Sequence, residues 1–272
     1  MANPRLMIEA PLNAGDQLTL DAAQSRHVGT VLRLDAGDAL RVFNATDGEW
    51  RASVAAKTKR GMSVQVEDFI RPARIAPDLD LLFAPVKRHA TDLIVEKATE
   101  LGVRRIRPVV TQRTITETVR LDRLQTIARE ATEQTERFDA PEILEALPLA
   151  KALDGWDAQR ALIYADEAGD SAREPWGGDI GRAMPITEAL PTRTAGASPA
   201  NTADAREGAG GPSKLALLIG PEGGFTTEER HMLRSLPYVI PVSLGPRILR
   251  AETAVIAGLS VIQSAWGDWR GP

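Results

Sequence analysis

The chain has 272 residues, 43% of them hydrophobic, and its 33 Lys and Arg stand against 37 Asp and Glu for a net charge of −4. That length builds one large or two modest domains with real cores, and the absence of cysteine excludes disulfides, thiolate nucleophiles and cysteine-based zinc sites. Three scattered histidines (His27, His89, His231), no apolar run of membrane-spanning length, and a start carrying Pro4, Arg5 and Glu9 point to a cytoplasmic protein without a metal centre.

Charge is spread unevenly along the chain. Residues 139–229 hold 16 acids and 7 bases, a local balance of −9 that leaves the remainder positive at about +5. Basic residues gather early, among them Arg26, Arg33, Lys57, Lys59 and Arg60, then Lys87 and Arg88. Such a set is compatible both with a solvated surface and with a face that contacts phosphates.

Residues 1–72 read mostly as strand. Gly15-Asp16 and Gly37-Asp38 are turn signals, residues 40–43, 50–55 and 62–69 alternate apolar with polar, and Asp47-Gly48 marks a hairpin. One short helix interrupts them, with Asp21 as its N-cap and Arg26, His27 and Arg33 on or near it. Closely spaced short strands suggest a small barrel, a type that often binds nucleic acid. The stretch from Arg71 to Pro77, with two prolines, reads as a linker.

After the linker, strands and helices alternate. Residues 79–84 predict a strand, 90–101 a helix ended by Gly102, 103–111 a strand, 121–137 the longest helix, 149–153 a short helix and 161–165 a strand. That order implies a parallel sheet with helices on both faces. Residues 168–213 are rich in Ala, Gly, Pro, Thr and Asp and show little apolar periodicity outside 180–190, so they read as a flexible surface insertion.

Two junctions with the same plan follow. A buried strand at 215–219 stops at Gly220-Pro221-Glu222-Gly223-Gly224 and a helix opens at Thr226; an apolar strand at 238–244 stops at Gly245-Pro246-Arg247 and a helix runs from Ala251 to about Trp266. Strand ends followed by glycines and helix starts make a crevice where main-chain groups can touch a ligand. The Walker lysine and the GxGxxG spacing are both missing. Taken alone, the first loop fits a tight turn as well as a ligand cradle, and Arg250 with Glu252 fits a plain ion pair as well as a reactive group.

The two loops, IGPEGGF (219–225) with Glu228 or Glu229 and LGPRILRAETA (244–254), resemble the signature loops of the ribosomal small-subunit RNA methyltransferase E family, in the SPOUT superfamily. HVGTVLR (27–33), KATELGV (97–103) and REATEQTER (129–137) with Pro141 are similar to further motifs of that family. The resemblance implies a PUA-like RNA-binding β-barrel at 1–72, and an α/β SPOUT methyltransferase domain at 73–272 closed by a C-terminal trefoil knot. It implies S-adenosylmethionine (SAM) as cofactor, 16S rRNA of the small ribosomal subunit as partner, and N3 of uridine 1498 as the methylated atom. By position, the cofactor residues are Tyr164, Ala165, Asp166, Ile219, Gly220, Gly223, Leu244, Gly245, Ile248, Leu249, Thr253 and Ala254. RNA contacts are expected from Arg26, His27, Arg33, Lys57, Lys59, Arg60, Lys87 and Arg88.

Methylating N3 of uracil requires an unpaired base and stabilisation of its deprotonated form. Arg250, with Arg247 second, suits that role, and Glu252 or Glu222 is placed to take the proton or orient an arginine. The helix from Ala251 is apolar around more of its circumference than one core stripe needs, which points to a homodimer. A SPOUT enzyme acting on another nucleotide and a non-catalytic RNA-binding protein are the alternatives.

Overall fold

A computed structural model describes residues 3–59, 61–115, 118–169, 181–190 and 214–270. The chain divides into two units, Met1–Ile75 with Thr132–Ala140, and Ala76–Ala131 with Pro141–Pro272. The first boundary falls inside the predicted linker, three residues beyond residue 72. The inclusion of Thr132–Ala140 in the first unit has no sign in the local sequence.

In the first unit, strands β1 (Arg5–Met7), β2 (Gln17–Thr19), β3 (Ala39–Asn44), β4 (Gly48–Thr58) and β5 (Gly61–Arg71) form one sheet in the order β1-β3-β4-β5-β2. β1 runs parallel to β3, and the other pairs are antiparallel. The predicted hairpin turns at Gly48, whose φ of +81° and whose missing Cβ, which would lie 2.3 Å from the Arg71 carbonyl, both require glycine. Leu6, Leu40, Val42, Ala52, Val54, Val64 and Val66 point to one core. Asp21 and Gln24 form a reciprocal capping box at helix α1 (Ala22–Arg26). The helix then widens into a π-helical turn at His27–Val31, and Arg33 takes a left-handed φ of +58°.

Arg5 organises the rest of that unit. Its Nε donates to Glu49 Oε1 at 2.7 Å, its other nitrogens donate to the carbonyls of Thr132, Glu133 and Arg137, and its guanidinium stacks 3.9 Å over the Phe43 ring. Glu49 is wholly buried and also pairs with Arg41 and Arg71.

In the second unit β6 (Leu79–Phe83), α2 (Arg88–Glu100), β7 (Arg105–Val110), α3 (Leu121–Gln134, its last residues counted in the first unit), β8 (Glu142–Ile143), β9 (Leu147–Pro148), α4 (Leu149–Leu153), β10 (Arg160–Ala165), α5 (Ile186–Ala189), β11 (Lys214–Ile219), α6 (Thr227–Ser235), β12 (Val239–Val242) and α7 (Ala251–Ala265) follow in turn. The strands build a parallel sheet in the order β12-β10-β11-β6-β7-β8, with β9 beside β7. Its central strands are buried on both faces: Leu215, Leu217 and Ile219 meet Val255 and Leu259 of α7 on one side, while Ala216 and Leu218 join Leu162, Tyr164 and Leu233 on the other. That double burial explains the unbroken apolar runs. Helix α3 stops at Gln134, short of the expected residue 137, and Glu136 turns left-handed at φ +62°. Among the described residues α7, with 15 residues, exceeds α3, with 14, so the expected longest helix is the second longest. Residues 181–190, inside the stretch read as a flexible insertion, are ordered: Ile186 and Leu190 are buried, and Ser243 bonds the main chain of Met184 and Ile186. Residues 170–180 and 191–213 lie outside the described residues.

Candidate active site

Three neighbouring strands, β11, β10 and β12, end side by side. Tyr164 is in register with Leu218 on one side and Pro241 on the other, and Ala165 with Val242. The loops expected to hold a ligand leave from these ends, so the fold sets the starts of the segments 164–166, 219–224 and 244–250 side by side.

The first loop is fixed from two directions. Phe225 folds back over Gly220, whose Cβ, were there one, would lie 2.5 Å from the ring, and Phe225 meets Tyr164 edge to face at 5.0 Å. Arg113, in the turn after β7, donates to the Gly223 carbonyl at 2.8 Å. Of the two glutamates left open by the sequence, Glu229 is the structural one. Buried, it accepts from the main-chain N–H of Thr226 at 2.9 Å and of Gln112 at 2.8 Å, closing the capping box of α6 and latching the loop to the turn after β7. We expect Gly220→Ala to cost about 1–3 kcal/mol, because the ring must leave Tyr164 to admit a methyl group; denaturant unfolding reads this directly, and an unchanged midpoint would show that Phe225 moves freely.

In the second loop Gly245 sits at φ +115° and faces open space where a Cβ would project. Ile248 is 75% exposed, Leu249 is half-buried against the core, and Arg247 and Arg250 are exposed. Arg250 is the N-cap of α7 but makes no side-chain cap bond. Its guanidinium thus stands at the positive end of a helix with no ion-pair partner among the described residues. Glu252, in the first turn, is half-buried, Thr253 is exposed and Ala254 is buried.

At the exit of β10 the side chains turn inward. Tyr164 is wholly buried, and burial, then the Asp166 charge, push its phenol well above the ordinary value, so it stays neutral. Asp166 is buried and its carboxylate is bound by Arg230 and Arg234. These two residues can offer a ligand their main chain, not their side chains. Sequence reasoning passed over Arg230 and Arg234, where the visible signal was two arginines four apart on a helix that follows the glycine loop, and it counted Arg113 only among the clustered basic residues.

Of the expected RNA contacts, Arg26, His27 and Arg33 lie on or beside the π-helical turn, and Lys57 joins them by donating to Leu34 O and Asp35 Oδ1. Lys59 is exposed at the β4–β5 tip, and Arg60 lies outside the described residues. Lys87 and Arg88, both exposed, sit in the other unit at the start of α2.

Glycine-bearing loops at three adjacent parallel strand ends agree with the comparisons. The RNA methyltransferase domain family matches residues 74–180 and 189–263, and the RNA methyltransferase PUA domain family matches residues 20–67. Ribosomal RNA small subunit methyltransferase E of Rickettsia conorii is 31% identical over 260 residues, covering 95% of this chain and 94% of its own length. The chain belongs to the ribosomal RNA small subunit methyltransferase E family. The Synechocystis member is 30% identical across 96% of this chain and 75% of its own length. A Legionella pneumophila protein, solved in complex with the cofactor SAM, superposes with a TM-score of 0.80 at 27% identity, covering 98% of this chain and all of its own. The family member from Neisseria gonorrhoeae, bound to SAM, shares the fold with a TM-score of 0.77 at 24% identity, over 98% of this chain and 99% of its own. The chain is therefore an RNA methyltransferase with an N-terminal PUA domain and an α/β domain of parallel sheet. No helix among the described residues is long and apolar enough to cross a membrane.

Proposed function

We propose that this protein transfers a methyl group from SAM to N3 of uridine 1498 in 16S rRNA, as a cytoplasmic homodimer. The observation that carries the reading is the set of three adjacent strand ends followed by glycine-bearing loops, exposed at Gly223 and Ile248 and open where a Cβ would project from Gly245, an arrangement suited to a ligand approached closely by the loops. The trefoil path of the C-terminal segment belongs to the same reading.

SAM supplies an electrophilic methyl group, whose bond to sulfur breaks as the bond to N3 forms. Main-chain groups of residues 164–166, 219–223 and 244–249 hold it, with Thr253 and Ala254 closing the second loop. Arg250 hydrogen-bonds the uracil carbonyl oxygens and stabilises the ring once N3 has lost its proton, and Arg247 adds a second positive charge. Glu252 takes the proton or orients Arg250. Arg26, His27, Arg33, Lys57, Lys59 and Arg60, with Lys87 and Arg88, contact RNA phosphates. N3 lies on the pairing edge, so the base must be unpaired to react.

Helix α7 supports the dimer reading. Ile256, Ala257, Ser260 and Val261 are only half-buried in the single chain, and with exposed Thr253 and Ser264 they form one stripe at helical spacing. Ala257→Glu is expected to yield a monomer by sedimentation with reduced activity; an unaltered dimer would place the interface elsewhere. The site itself is tested by reverse transcription of 16S rRNA from cells with and without the gene. A methyl group at N3 blocks pairing, so a stop at position 1498 that disappears on deletion and returns on complementation is expected. A stop that persists without the gene would reject the assignment.

A further inference from the structure

The exit of β10 holds more buried charge than contacts from the main chain require. The Nε atoms of Arg230 and Arg234 donate to Oδ1 and Oδ2 of Asp166 at 2.9 and 2.8 Å. Arg230 also donates to the carbonyls of Ala168 and Gly169, and Arg234 to that of Gly181. The Asp166 N–H bonds the Val242 carbonyl at 2.9 Å, and the next residue, Ser243, exchanges two main-chain bonds with Met184 and Ile186. One carboxylate and two arginines thereby tie the end of β10, the start of the 181–186 strap and helix α6, and the strap and the Asp166 main chain in turn hold the end of β12. That helix begins at the GPEGGF loop.

A buried ion cluster gives little net stability compared with apolar packing of the same volume. Its distinctive contribution is direction, because the forked guanidinium groups fix several partners in one geometry. We propose that Asp166, Arg230 and Arg234 are positioning residues for the methyl-donor site, holding the three loops in the register that main-chain contacts to the cofactor need. The proposal rests on the SAM reading above. None of the three side chains touches the reacting atoms.

Asp166→Asn keeps the shape but replaces one acceptor oxygen with a donor facing an arginine. SAM binding, measured by calorimetry well below the unfolding temperature, is expected to weaken about tenfold, with a matching rise in KM for SAM. Arg234→Lys, which keeps the charge but not the fork, should weaken binding about threefold and carries the test should Asp166→Asn fail to fold. A cluster that merely stabilises the fold would lower the unfolding temperature and leave SAM affinity unchanged, and that result overturns the proposal alone. Failure of the wild-type protein to bind SAM would remove the cofactor reading and this proposal together.

Discussion

Arg250→Ala is expected to lower kcat by about 100- to 1,000-fold, the usual cost of removing one preorganised donor aimed at developing negative charge, while leaving SAM affinity unchanged. The split follows from where the side chain stands. It is exposed, makes no cap bond and has no ion-pair partner among the described residues, so its loss disturbs neither loop nor helix. Its main-chain carbonyl, which accepts from the Ala254 N–H at 2.8 Å, survives the substitution. Arg250→Lys should recover part of the rate, since the charge remains but the two-pronged donor does not. Steady-state kinetics with calorimetry on the same preparations separate the terms; full turnover by Arg250→Ala would take this residue out of the mechanism.

The second large effect concerns stability. Glu49→Ala should destabilise the first unit by about 3–5 kcal/mol, because it strands the Arg5 guanidinium in the interior. Glu49 is fully buried, accepts from Arg5 and Arg71 and forms an ion pair with Arg41, and Arg5 is itself only 6% exposed. Burial is already the largest influence on Arg5 and holds its pKa below the ordinary arginine value despite the paired carboxylate. Removing both partners is a different experiment: Arg5→Met with Glu49→Leu should cost far less than Glu49→Ala, since no unpaired charge remains. Denaturant unfolding checks both, and equal losses for the single and double variants would show that packing, not charge, governs the site.

What the sequence displays well is whatever depends on local pattern. The strands β6, β10 and β11 are legible because burial on both faces leaves unbroken apolar runs, and the Asp21 cap and the turn at Gly48 because their chemistry is set within a few residues. The loops at Gly220 and Gly245 stand out for the same reason. Long-range pairing leaves no such mark. Strand β1 is three residues long and pairs in parallel with a strand more than thirty residues away, and β8 and β9 have two residues each. Arg230 and Arg234 look like surface charges on a polar helix until the fold sets Asp166 against them. Likewise, Arg5 and Glu49 show no periodicity that would reveal a buried pair 44 positions apart. The ordered strap at 181–190 was signalled only by the weak apolar spacing of Ile186 and Leu190 in an otherwise polar stretch.

The central claim is a single chemical event at a single nucleotide. The protein should be incubated with labelled SAM and small ribosomal subunits that lack modifications, and the 16S rRNA digested for nucleoside analysis and mapping. The account predicts label in N3-methyluridine alone, at position 1498. Label in any other nucleoside or at another position, or no label from a protein that binds SAM, would contradict it.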